Sequence, residues 1–175
     1  AQRCLSYESV ERTTKILALL PNGVQSMQRA FPDTPECSCN IGNVELKGDA
    51  VVCYISVRSC KGSLIDQMCG KYRALAELTG CALTFRDRLP GWDYDRDSRL
   101  RRLVDKEYNE RFGAAPRFKV THASTECGMF KEQLPHMDII SMGPIIYEEH
   151  TPREYMGIQS VGVVWEFVKS IISQL

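Results

Sequence analysis

Two β-like runs around one glycine turn constrain the first half of this chain more than any other feature. Residues 36–46 alternate well enough for a strand, and Lys47-Gly48-Asp49 reads as a turn. Residues 50–59 are apolar and β-branched. Such a pair specifies an antiparallel hairpin. Residues 24–30 can add a further strand before it. A helix is expected over residues 8–20, with Val10, Thr14, Leu17 and Leu20 on one face, ended by Pro21-Asn22-Gly23. A second is expected over residues 63–79, with Leu64, Met68, Tyr72, Leu75 and Ala76 as its inner face. Gly80 follows where a C-cap glycine belongs. A short strand over 81–85 completes a mixed α+β layer, with helices on one face of a mainly antiparallel sheet.

The second half has a different rhythm. Residues 89–98 are rich in turn formers and charge and read as the crossing between two domains. Asp97 or Ser98 then caps a helix with Leu100, Leu103, Val104, Tyr108 and Phe112 inside, ended by Gly113. Strands are expected at 117–121 and 137–144, with a short helix at 127–133 between them. A last helix from about Val161 should bury Val164, Trp165, Val168 and Ile171. This half reads as α/β of the βαβ type, so the chain as a whole is of mixed α/β class.

Charge excludes some partners. The 22 basic and 22 acidic residues cancel, so nothing argues for nucleic acid or an anionic membrane. No apolar run approaches a membrane span. The N-terminal residues lack a signal-type apolar core. The eight cysteines (Cys4, Cys37, Cys39, Cys53, Cys60, Cys69, Cys81 and Cys127) mostly sit inside apolar periodic segments and include no C-x-x-C. They read as reduced structural thiols of a cytoplasmic protein, with disulfides or a thiolate metal site as the other possibilities.

Chemistry concentrates between Thr121 and Ser160. The apolar segment 137–144 ends in Gly143-Pro144 and reads as a buried strand that delivers His150 to a loop beside Glu148, Glu149 and Pro152. An imidazole among carboxylates fits a hard or borderline metal site, although most such histidines are solvated. His136, in Leu-Pro-His-Met, reads as a surface residue.

Four pieces of this stretch carry a family resemblance: His122-Ala-Ser-Thr-Glu-Cys-Gly-Met-Phe130, Met137-Asp-Ile-Ile-Ser-Met-Gly-Pro144, His150-Thr-Pro152 and Ile158-Gln-Ser-Val-Gly162. In order and spacing they resemble the C-terminal part of the bacterial aminoacyl-histidine dipeptidases, cytosolic carnosinase-like zinc peptidases. Leu19–Val24, Val57-Arg58-Ser59 and Pro90-Gly91-Trp92 have counterparts too. The resemblance implies that residues 1–86 are the second half of a lid or dimerisation-type domain. It implies that residues 87–175 are the C-terminal segment of the zinc-peptidase domain.

The resemblance assigns His150 as a zinc ligand and Arg58 as the lid arginine that contacts substrate; a guanidinium can hold a peptide carboxylate bidentately. Ser124, Glu126 and Gly128 fall in the substrate-binding H-A-G-x-E-C-G motif. Ser124 replaces the motif's glycine, which would narrow the pocket or change specificity. Glu126 reads equally as a carboxylate favoured at a helix start. His122 matches a family histidine and reads as structural. Two zinc ions, the general base and the remaining ligands belong to the family's earlier half, and their motifs are not recognisable here. The expectation is therefore the C-terminal part of a zinc-dependent metallodipeptidase for Xaa-His or related dipeptides, inactive alone and prone to self-association through exposed sheet edges. The alternative is a stand-alone non-catalytic interaction module with a lid-like sheet.

Overall fold

The computed structural model describes residues 4–123 and 125–175. They form two compact units that are interleaved along the chain. One comprises the residues up to Tyr94 together with Val120–Glu132, and the other Asp95–Lys119 together with Gln133–Leu175. The sequence reading divides the chain once instead, between residues 86 and 87.

The first unit opens with helix α1, Tyr7–Leu19, whose N-cap Ser6 accepts the Ser9 N–H at 3.2 Å. Strands β1 (Gly23–Met27), β2 (Pro35–Lys47) and β3 (Ala50–Ser59) form an antiparallel sheet in that order. β1 stops at Met27 because the Gln28 and Thr34 N–H groups turn to local carbonyls, of Thr34 and Phe31. Lys47 pairs with Ala50, so β2 and β3 are joined by two residues, and Gly48 takes the φ of +61° that this connection needs. Helix α2, Gly62–Thr79, ends at Gly80 in the left-handed conformation. Its Ile65, Met68 and Tyr72 are buried, and Met68 and Tyr72 cluster with Cys37 and Cys39 of β2. Partly buried Leu20, Ile55, Val57 and Leu64 surround that cluster. Tyr72 donates its hydroxyl to the Pro21 carbonyl at 2.8 Å, so the aromatic is buried with its polar end satisfied. One face of the sheet is thus covered by helix, and the alternate face carries Ser38, Ser56 and Arg58.

The second unit is built on two helices. Ser98 caps α3, Arg99–Phe112, through the Arg101 N–H at 2.9 Å, and the Asp138 carboxylate accepts the Leu100 N–H at 2.8 Å. Val104 packs with Phe167 and Ile171 of α5, Ile158–Ile172, and Tyr108 meets Phe167 edge to face. Two two-residue strands, β4 (Ile146–Tyr147) and β5 (Tyr155–Met156), pair as an antiparallel hairpin. Helix α4, Glu126–Gln133, lies earlier in the chain.

The mixed α/β class agrees with the sequence, but several local expectations do not. Residues 81–85, 117–121 and 137–144 form no strand and have no partner strand among the described residues. Their composition favours β structure, but a strand exists only through its neighbour's hydrogen bonds. The segment 137–144 is correspondingly only partly buried. The last helix begins three residues early, at Ile158, because Gly157 serves as its N-cap. Its buried stripe runs through Phe167 and Ile171, while Trp165 stays 61% exposed. All eight cysteines are unpaired, and Cys37, Cys39 and Cys60 are buried. Burial pushes the Cys60 thiol up to about 11, which makes it a poor nucleophile.

Candidate functional site

Strand β3 ends in a fixed pattern. Ser59 is buried, donates its hydroxyl to the Glu36 carbonyl at 2.7 Å and accepts the Lys61 N–H at 3.1 Å. These bonds lock the exit from strand to helix. One residue earlier, Arg58 faces the other way and is exposed. Among the described residues no carboxylate pairs with it. Its cross-strand neighbour is Ser38.

That pairing depends on an irregularity. The register changes between Ile41 and Asn43. Extending the turn's register without this bulge would set Arg58 opposite Cys39, a core residue. The bulge places Arg58 beside a hydroxyl on the open face instead.

His122 is the third group there. Its Nε2 lies 2.8 Å from the Ser38 Oγ. Partial burial, and then the nearby Arg58 cation, hold the imidazole below its ordinary pKa, so the neutral ring is favoured. The structure therefore gathers Arg58, Ser38 and His122. Of these, sequence reading singled out Arg58, treated His122 as structural and passed over Ser38, whose placement is visible only once the bulge is known.

Two glycines lie close to backbone in the same unit. A Cβ on Gly91 would sit 2.2 Å from the Cys60 carbonyl oxygen, and one on Gly128 would sit 2.4 Å from that of Pro90. Gly128 is buried in the first turns of α4, so its smallness is used for chain packing. Glu126 begins α4 and is exposed, with its carboxylate in the helix's first turn. Ser124 lies outside the described residues.

His150 belongs to the second unit. It sits in the turn between β4 and β5, exposed, with a left-handed φ of +65°, and Glu148 shares that region at +50°. The turn is held locally. The His150 N–H donates to the Glu154 carboxylate at 2.9 Å, Arg153 Nε donates to Glu148 at 2.7 Å, and Thr151 Oγ1 donates to the Glu148 carbonyl at 2.8 Å. Glu148 is therefore engaged in the turn through both its carbonyl and its carboxylate. The Tyr147 and Tyr155 rings stack across the hairpin at 4.8 Å. His136 is an exposed turn residue, as expected. Among the described residues no group of three or more histidine, cysteine, aspartate or glutamate side chains could hold a metal ion. A protein zinc site normally takes three or four such ligands, so these residues do not make a metal centre by themselves.

No protein-family model matches the chain. It is 31% identical over 171 residues to the cytosol non-specific dipeptidase of Escherichia coli strain K12, an alignment covering 98% of this chain and 35% of that protein. The crystal structure of aminoacylhistidine dipeptidase from Vibrio alginolyticus superposes with a TM-score of 0.84 at 30% identity, covering all of this chain and 36% of that one. Aminopeptidase PepT from Bacillus cereus shares the fold, with a TM-score of 0.71 at 16% identity over 94% of this chain and 44% of that chain. The chain thus spans about a third of the length of the dipeptidases it matches. Over that span it is homologous to the C-terminal part of the cytosol non-specific and aminoacylhistidine dipeptidases.

Proposed function

We propose that this chain serves as the C-terminal part of a zinc-dependent dipeptidase that hydrolyses Xaa-His or related dipeptides in the cytoplasm. In this reading residues 1–86 belong to a lid or dimerisation-type domain, and residues 87–175 to the zinc-peptidase domain. Arg58 holds the substrate's terminal carboxylate, Ser124, Glu126 and Gly128 line the same substrate, and His150 contributes one imidazole to a metal. Zinc, when bound in hydrolases, polarises the scissile carbonyl. The further ligands and the general base come from outside these residues, so the 175 residues alone bind substrate without turning it over. The edges of the β1-β2-β3 sheet offer unpaired backbone for self-association. Among the described residues no helix is long and apolar enough to cross a membrane.

The observation that carries this reading is Arg58: an exposed guanidinium, without a carboxylate partner among the described residues, on a strand whose end is locked and in a chain homologous to dipeptidases. A guanidinium can hold a carboxylate by two parallel hydrogen bonds. The test compares binding of glycyl-histidine and its C-terminal amide to the chain by NMR titration. The free acid should bind better by at least about tenfold, or about 1.4 kcal/mol, and Arg58→Gln should erase the difference. Equal binding of acid and amide by the wild-type chain would overturn the assignment.

A further inference from the structure

We propose that His122 and Ser38 complete the carboxylate subsite begun by Arg58, with His122 as a positioning residue whose protonation is coupled to carboxylate binding. This deepens the role given above to Arg58 and rests on it.

The contact between Ser38 and His122 leaves one hydrogen unused. A hydroxyl has one to give, and a neutral imidazole has one N–H. If Ser38 donates to His122 Nε2, the ring keeps a free N–H at Nδ1. If Nε2 donates to Ser38 Oγ, the serine hydroxyl keeps its hydrogen. The 2.8 Å contact uses one donor in either tautomer and leaves one over. The contact sits on the sheet face that carries Arg58, because Ser38 and Arg58 are direct cross-strand partners. A guanidinium and a neutral donor together suit a ligand that only accepts hydrogen bonds, which is what a carboxylate is.

The proton follows from the charges. From β3 the imidazole faces the Arg58 cation, from β2 the uncharged Ser38, and on its own segment it is flanked by the uncharged Thr121 and Ala123. With Arg58 unneutralised, a second positive charge there is disfavoured. A bound carboxylate cancels that repulsion and rewards protonation of His122. By linkage, carboxylate affinity then rises as the pH falls through the imidazole's range, by the same factor as the ring's proton affinity rises on binding.

The test follows the His122 Cε1–H resonance with pH in the 175-residue chain, assigned through its loss in His122→Asn. The probe is N-acetylglycine, with N-acetylglycinamide as the uncharged control. The expected results are as follows. Arg58→Gln raises the titration midpoint of His122. N-acetylglycine raises it in the wild type and leaves it unmoved in Arg58→Gln. The amide has no effect, and Ser38→Ala reduces the response to N-acetylglycine. If N-acetylglycine shifts the Arg58 Nε–H resonance but leaves the His122 midpoint in place, this inference fails while the role of Arg58 stands. If N-acetylglycine moves neither signal, the role of Arg58 fails and the inference with it.

Discussion

The Arg58 patch and the His150 turn place chemistry on scaffolds of opposite kinds. Arg58 projects from a strand whose alternate residues are in the core, whose end is bonded through Ser59, and whose register is set by a bulge. His150 projects from an exposed turn between strands of two residues, with two left-handed residues and side-chain bonds no longer than the turn itself. The first arrangement fixes the backbone from which Arg58 projects before any ligand arrives, which lowers the ordering cost of binding there. The second holds the backbone in shape but leaves the imidazole in solvent, as suits a ligand group that is fixed only when other donors close around a metal. In the proposed reading, the difference separates a carboxylate site that this chain holds alone from a metal position to which it only contributes.

The comparison can be broken from either side. The largest effect should come from the core beneath Arg58. Met68 is 1% exposed between Cys37, Cys39 and Tyr72, so Met68→Ala should cost roughly 2–5 kcal/mol in urea unfolding. Trp165→Ala, at an exposed position, should stay within about 0.5 kcal/mol. Equal losses would mean that the helix–sheet core is not what holds the first unit. Next comes Gly91→Ala, whose new methyl must displace the backbone at Cys60, next to the strand end that orients Arg58. A loss of roughly 1–3 kcal/mol is expected by the same measurement, and no loss would show that the loop yields freely.

A smaller effect depends on pH. The folded-state pKa of His122 is lowered, so between that value and the unfolded one, about 6.5, the unfolded chain binds more protons. The stability due to the neutral ring is therefore complete above the unfolded pKa and is lost as the pH falls through the folded one. Urea midpoints measured between pH 5 and 8 should rise with pH more steeply in the wild type than in His122→Asn. Superimposable profiles would remove the imidazole from the sheet face. The smallest change should come at the turn. Asparagine tolerates left-handed backbone, so His150→Asn should alter stability by no more than about 0.5 kcal/mol. A large loss would mean that the imidazole is part of the packing.

Much of the sheet unit was legible in the sequence because its signals are local. Gly48 sets the hairpin turn, the 3.6-residue spacing of Met68 and Tyr72 sets the buried face of α2, and Gly80 sets its end. The strands expected at 81–85, 117–121 and 137–144 failed because β-rich composition states a preference, while pairing requires a neighbour elsewhere. On α5 the expected stripe held at Val164, Val168 and Ile171 but missed Phe167 and wrongly included Trp165, which is turned about 100° from Val164. At the candidate site, Arg58 and His150 were singled out by motif resemblance alone. Ser38 was not, because its place opposite Arg58 follows from a one-residue bulge that no composition signal marks.

In the proposed function this chain supplies the C-terminal part of a dipeptidase, with His150 as an essential ligand position. The most direct measurement replaces the matching third of the Escherichia coli cytosol non-specific dipeptidase with this chain and assays hydrolysis of a Xaa-His dipeptide with added zinc. Turnover is expected in the chimera, with a fall of at least about a thousandfold, about 4 kcal/mol in transition-state terms, in its His150→Ala variant. A chimera that melts cooperatively and binds zinc but turns nothing over would contradict it, as would an active chimera indifferent to His150→Ala.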